Sequence, residues 1–280
     1  MISEYILEPT VWIFFSSLIG LCVGSFLNVV IHRLPIMMER QWEDELDEAN
    51  EKPLRERERF NIFLPRSHCP SCKTQLKWHH NIPLFSFLFL RARCHQCKTP
   101  ISWRYPAIEL FTSLSFAWVA WHYPAGWVGL AWMGFVATLI VLAMIDLDTC
   151  YLPDTLTLPL MWAGILFNLV TQSVSLEYSV LGAILGYMVL WVIYHVFKLL
   201  TGKEGMGFGD FKLLAAGGAW IGVQGLLSVL LVASVIGVIF GIAIQVIRGN
   251  SMSTPFPFGP SLVIGLFSWL LGLNITNLLY

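Results

Sequence analysis

The chain has 280 residues, of which 56% are hydrophobic and only 12% charged, with a mean hydropathy of +0.67. That balance excludes an ordinary soluble domain of this length and predicts an all-α polytopic membrane protein. The net charge of −1 supplies no argument for a nucleic-acid partner, and none is expected; the expected surroundings are a lipid bilayer.

Apolar runs near 11–31, 106–122, 126–145, 156–171, 179–199, 211–223, 226–247 and 258–279 predict about eight transmembrane helices, because about 20 residues cross the hydrocarbon. The sixth run is short. Of the 17 Lys and Arg residues, 13 lie between Arg33 and Arg104; the others are Lys198, Lys203, Lys212 and Arg248. With both termini periplasmic, every basic residue falls on the cytoplasmic side, as the positive-inside tendency requires. The first run starts after Glu4 and Glu8 without a basic segment before it, so it reads as a retained helix, not a cleaved signal. The expected division is a first transmembrane helix (1–32), a small cytoplasmic domain inserted between helices 1 and 2 (33–104), and a membrane-embedded domain (105–280).

In the first span, Gly20, Gly24 and Ser25 permit close helix packing, and Asn28 reads as an amide that bonds to a neighbouring helix. Residues 36–61 carry nine acids between Glu39 and Glu58 and read as a solvated amphipathic helix ending near Pro53.

The next segment has a more specific pattern. Cys69-Pro70-Ser71-Cys72 and Cys94-His95-Gln96-Cys97 form two C-x2-C pairs separated by 21 residues, close to the spacing of four-thiolate zinc sites. The hexapeptide Cys-x-x-Cys-Lys-Thr occurs twice, at 69–74 and 94–99. Two such knuckles close a tetrahedral site with no open position, so the expected zinc is structural. Disulfides are the competing reading, opposed by the cytoplasmic placement. His68, His79, His80 and His95 read as surface or packing residues, and Cys22 and Cys150 as small apolar ones. The apolar stretch Ile82–Leu90 is too short to span; it packs in the metal domain or rests on the bilayer. Glu109 falls in the first turn of the second span, where a carboxylate is favoured by the helix dipole.

The third span ends at Met144-Ile145-Asp146-Leu147-Asp148, followed by Tyr151-Leu152-Pro153-Asp154. The sixth begins after Lys203-Glu204-Gly205-Met206-Gly207-Phe208-Gly209-Asp210-Phe211-Lys212. Gly205, Gly207 and Gly209 let backbone approach a neighbour closely, and Lys212 supports the same loop. Two carboxylates, Asp146 and Asp210, thus share one membrane depth, which predicts a pair sharing one proton and activating a water. Helix dipoles alone put the charge on Asp210, the base, and the proton on Asp146, the acid. Pro255-Phe256-Pro257-Phe258-Gly259-Pro260 opens the last span and leaves backbone groups free for a substrate strand, or simply starts a helix.

Taken together, Gly-Ser-Phe-Leu-Asn-Val-Val-Ile-His-Arg-Leu-Pro at 24–35, the two Cys pairs, Arg-Tyr-Pro-x-x-Glu at 104–109, Leu-Pro-Asp at 152–154, Glu-Gly-Met-Gly-x-Gly-Asp-x-Lys-Leu at 204–213 and Pro-Phe-Gly-Pro at 257–260 resemble the type IV prepilin peptidases. The resemblance covers essentially the whole chain. It implies a bacterial inner-membrane aspartyl protease with Asp146 and Asp210 as catalytic acids. The implied substrate is a prepilin or pseudopilin with a short basic leader, a glycine before the cut and an apolar helix after it. It also implies transfer of a methyl group from S-adenosylmethionine to the new N-terminus. One departure stands in Arg91-Ala92-Arg93, the region that the resemblance ties to the cofactor: the family usually has glycine at the middle position and associates it with methyl transfer. Two other readings stay open: within the resemblance, a leader peptidase without the transferase, and, from the residues, a proton- or ion-coupled carrier built on intramembrane carboxylates.

Overall fold

The computed structural model describes residues 8–53, 55–203, 205–248 and 257–273. Nine α-helices occur among them: α1 (Pro9–Ala49), α2 (Phe85–Phe89), α3 (Arg104–His122), α4 (Trp127–Thr149), α5 (Asp154–Thr171), α6 (Leu176–Thr201), α7 (Phe208–Ile221), α8 (Val223–Arg248) and α9 (Gly259–Leu270). The described residues contain no strand, only two isolated bridges. Each of the eight apolar runs contains a helix, the last as far as Leu270 among the described residues, and five helices (α1, α4, α5, α6 and α8) are long and apolar enough to cross a membrane. The chain forms two compact units that divide within α4, between Val141 and Leu142.

In the first unit, α1 does not stop at Arg33. It continues through Pro35 to Ala49, 41 residues in all, or about 60 Å, roughly twice the hydrocarbon thickness. The charged helix expected as a separate element is therefore the second half of α1. The segment after it folds back: Arg55 pairs with Glu43 (3.0 Å) and Asp47 (2.9 Å), and Arg57 with Glu43 (2.6 Å). Buried Arg33 donates to the carbonyls of Asn61 (2.9 Å) and Pro65 (2.6 Å), tying this segment to the helix. The first half of α1 packs on α3 where the small residues require it. A Cβ on Gly20 would lie 2.7 Å from the Ser113 Cα, and one on Gly24 2.7 Å from the Glu109 Cα. Asn28 donates to the carbonyls of Gly24 and Tyr105, each at 3.2 Å, which is the packing role its sequence position predicts.

In the second unit, α7 is the central element. Phe211, Leu213, Leu214, Ala216 and Ala219 are fully buried. Gly182 and Gly186 of α6 bring that helix against α7, where a Cβ would meet the Gly218 and Leu214 carbonyl oxygens. With 14 residues, α7 is about 21 Å long, so its last carbonyls end inside the protein. Such orphan acceptors are costly unless paired. Asn168 donates to the Ala219 (2.8 Å) and Trp220 (3.1 Å) carbonyls, and the Ser179 hydroxyl donates to Ala219 (2.6 Å). Asn168→Ala is expected to lower stability by about 2 kcal/mol, since it takes the Asn168 donor from the Trp220 carbonyl and leaves Ala219 to Ser179 alone; thermal unfolding in detergent measures this.

Candidate active site and metal centre

The second unit brings the two predicted acids together. Asp146 lies in the last turn of α4 and is 4% exposed; Asp210 lies in the first turn of α7 and is 6% exposed. They are near enough for their charges to repel. Gly207 caps α7 in an extended conformation, with its carbonyl accepting from the Asp210 N–H (3.3 Å). Two of the other glycines have separate reasons. A Cβ on Gly209 would sit 2.8 Å from the Leu152 side chain, and one on Gly205 2.9 Å from the Phe197 ring, whereas Gly207 is uncrowded. Lys212 points elsewhere: its ammonium bonds both carboxylate oxygens of Asp154 (2.7 and 2.6 Å), joining α7 to the start of α5. Asp154, a loop residue by sequence, thus opens a helix.

Gly259 makes a contact that its place in the sequence does not suggest. Its N–H, at the start of α9, donates to the Asp146 Oδ2 at 2.9 Å, so that donor is committed to the acid and not left for a substrate strand. A Cβ on Gly259 would lie 2.7 Å from the same oxygen. The signal was the glycine between Phe258 and Pro260; Pro255 and Phe256 lie outside the described residues. By contrast, Asp210 Oδ1 is buried with no hydrogen-bond partner. An oxygen in that state is shaped for a proton, a water or a substrate group. Gly259→Ala is expected to displace Asp146 and lower any Asp146-dependent cleavage about 100-fold, the scale of a misplacement near 1 Å; a single-turnover assay reads it.

The first unit holds the four cysteines. The two knuckles repeat in structure as in sequence. Cys69 N–H bonds the Thr74 carbonyl and Lys73 N–H the Cys69 carbonyl; Cys94 with Thr99, and Lys98 with Cys94, do the same. Lys73 (φ 58°) and Lys98 (φ 59°) take the same left-handed turn. The four sulfurs lie within 4.8 Å of one another, with Cys69–Cys97 at 3.7 Å and Cys72–Cys94 at 4.0 Å. A tetrahedron of about 2.3 Å zinc–sulfur bonds has edges of about 3.8 Å, so the donor set fits zinc. The Thr99 hydroxyl and backbone pull the Cys97 thiol down to about 6, and Thr74 lowers Cys72 likewise, which favours the thiolate at those two positions. The His80 ring meets His79 edge-on and lies tilted against His95, and none of the three joins the four-sulfur group.

Ala92 and Arg91, just before the second knuckle, have φ of 56° and 51°. The Ala92 N–H bonds the Phe87 carbonyl (2.8 Å) and its carbonyl accepts from Ile101 (2.7 Å), so the conformation is fixed on both sides. A glycine suits this backbone better. Ala92→Gly is expected to stabilise the segment by about 1 kcal/mol, read as slower hydrogen exchange over residues 87–101.

Comparison with known proteins gives concordant matches. The description "Bacterial Peptidase A24 N-terminal domain" fits residues 18–123, and "Type IV leader peptidase family" fits residues 133–242. The chain is 51% identical over 272 residues to a prepilin leader peptidase/N-methyltransferase of Aeromonas salmonicida (strain A449), covering 95% of this chain and 94% of that protein. The protein of the same name from Aeromonas hydrophila is 50% identical, with 95% and 93% covered. That from Neisseria gonorrhoeae is 47% identical, with 89% and 86% covered. No solved structure matches the chain at a significant level.

Proposed function

The chain belongs to the type IV leader peptidase family, and on that premise we propose that Asp146 and Asp210 are its catalytic pair. It is a membrane-bound aspartic peptidase and N-methyltransferase that processes prepilins. The observation that carries the assignment of the pair is the burial of two carboxyls at one place, with Asp210 Oδ1 lacking any partner.

Two like charges at this proximity cannot both be held, so the pair shares one proton. The helix dipoles favour the charge on Asp210, whereas the Gly259 N–H supports a charge on Asp146. These influences oppose each other, which suits a pair whose roles exchange during one cycle. The ionised carboxylate takes a proton from water as it attacks the scissile carbonyl; the protonated carboxyl gives its proton to the carbonyl oxygen, and the departing amine is protonated in the collapse. The Lys212–Asp154 ion pair fixes α7, and with it Asp210, against α5. The substrate's basic leader stays on the cytoplasmic side, its apolar helix lies in the bilayer, and the bond after glycine reaches the depth of the pair.

Cys69, Cys72, Cys94 and Cys97 hold one structural zinc. S-adenosylmethionine supplies the methyl group for the new N-terminal amine. A second reading, a peptidase with weak or absent methyl transfer, is favoured by Ala92 standing at φ 56° where the family has glycine. Intact-mass spectrometry of a prepilin peptide incubated with purified protein and S-adenosylmethionine separates the readings. Loss of the leader with one added methyl group is expected; leader loss alone supports the second reading, and no cleavage overturns the first.

A further inference from the structure

In the first unit an open cleft of about 960 Å³ lies between α1, α3 and the knuckles. That is at the upper end of the volumes that hold small ligands, about 300–1,000 Å³. Its most distinctive wall residue is Glu109, 8% exposed. Its carboxyl accepts from a neutral donor, the Leu84 N–H at 2.8 Å. Leu84 stands at φ 56° while it makes this bond, a strained backbone for a branched aliphatic residue. Among the described residues no cation pairs with Glu109. A buried carboxyl beside a cavity is matched to a guest with a cationic group, and Arg33 and Lys73 on the same wall suit a guest that also carries an anionic one.

Other wall groups describe the rest of that guest. Asn28 uses its amide hydrogens on Gly24 and Tyr105, leaving its carbonyl oxygen as an acceptor. Phe60, His80 and Tyr105 line the same space with flat rings, which suit a purine. We propose that this cavity is the S-adenosylmethionine site, with Glu109 set against the sulfonium. The inference rests on the methyl-transfer activity of the family reading and assigns it a place. A sulfonium is permanently charged and has no proton to donate, so a fixed carboxylate is its natural partner. The acceptor amine must be neutral to attack, and a carboxylate beside it would instead hold it protonated.

Equilibrium dialysis of full-length, detergent-purified protein against tritiated S-adenosylmethionine and S-adenosylhomocysteine tests this. Glu109→Gln is expected to weaken S-adenosylmethionine binding about 10-fold or more, the scale of a lost hydrogen bond or ion contact to a charged group. It should hardly change S-adenosylhomocysteine, which lacks the sulfonium charge. Ser86→Phe, which fills the cavity from α2, should weaken both ligands and covers the case in which the Glu109 variant misfolds; zinc content and monodisperse elution monitor folding. If the wild type binds the donor and methylates while both folded variants bind it normally, the site is wrong and the activity stands. If Glu109→Gln leaves donor binding intact but raises the KM of the peptide acceptor, the carboxylate serves the amine and the inference is overturned. A wild type that removes leaders yet neither binds nor uses the donor overturns the methyl-transfer reading itself.

Discussion

Asp210→Asn is expected to reduce leader removal by about 10³-fold or more, since loss of a positioned acid or base alone costs about 10²–10⁴-fold, and Asp146→Asn should do the same. The two effects should not add, because each variant disables the same shared-proton unit. Folding should survive. Asp210 Oδ1 makes no hydrogen bond, and a buried carboxyl costs free energy to desolvate, so a neutral amide of the same shape removes a cost from the native state. The thermal midpoint of Asp210→Asn should equal or exceed that of the wild type. A variant that loses activity together with its fold would make Asp210 a structural residue. A carrier predicts a different pattern, in which processing persists while a transported ion no longer moves.

Removal of zinc should have the second large effect. Among the described side chains between residues 66 and 103 the buried apolar ones are Cys69, Phe87 and Cys94, while Phe85, Leu88, Phe89 and Trp103 are exposed. So small a core cannot order two knuckles, and units below about 40 residues usually need a metal or disulfides. Structural zinc contributes about 10–16 kcal/mol in small metal domains. We expect one zinc per chain by elemental analysis. Cys94→Ser or a strong chelator should open residues 66–103 to proteolysis while α5 to α9 remain protected. Equal protection with and without metal would mean that packing alone holds the knuckles.

Legibility of the sequence followed the range of the interaction. Hydropathy located each of the eight apolar helices because burial in lipid acts residue by residue. The cysteine pairs were legible because both knuckles are local turns with the same repeat. Asp146 and Asp210 were visible as charges where apolar sequence excludes them. What depended on contacts between distant segments was not legible. Asn168 looks like any polar residue near a helix end, yet it satisfies carbonyls 51 and 52 positions away. Gly259 reaches Asp146 across 113 positions. The continuity of α1 through Pro35 was hidden because a proline and a change of polarity both read as a boundary. Lys212 was assigned to the glycine loop by proximity in sequence, whereas its charge is held by Asp154.

One shared proton underlies the proposed catalysis, and the pH dependence of single-turnover leader cleavage tests it most directly. A pair that must hold one proton predicts a bell: activity falls at low pH as both carboxyls become protonated and no base remains, and falls at high pH as the last proton leaves and no acid remains. Asp146→Asn should flatten what residual rate survives. A wild-type rate that stays level through the acid range, with zinc content unchanged, would contradict the pair as the source of catalysis.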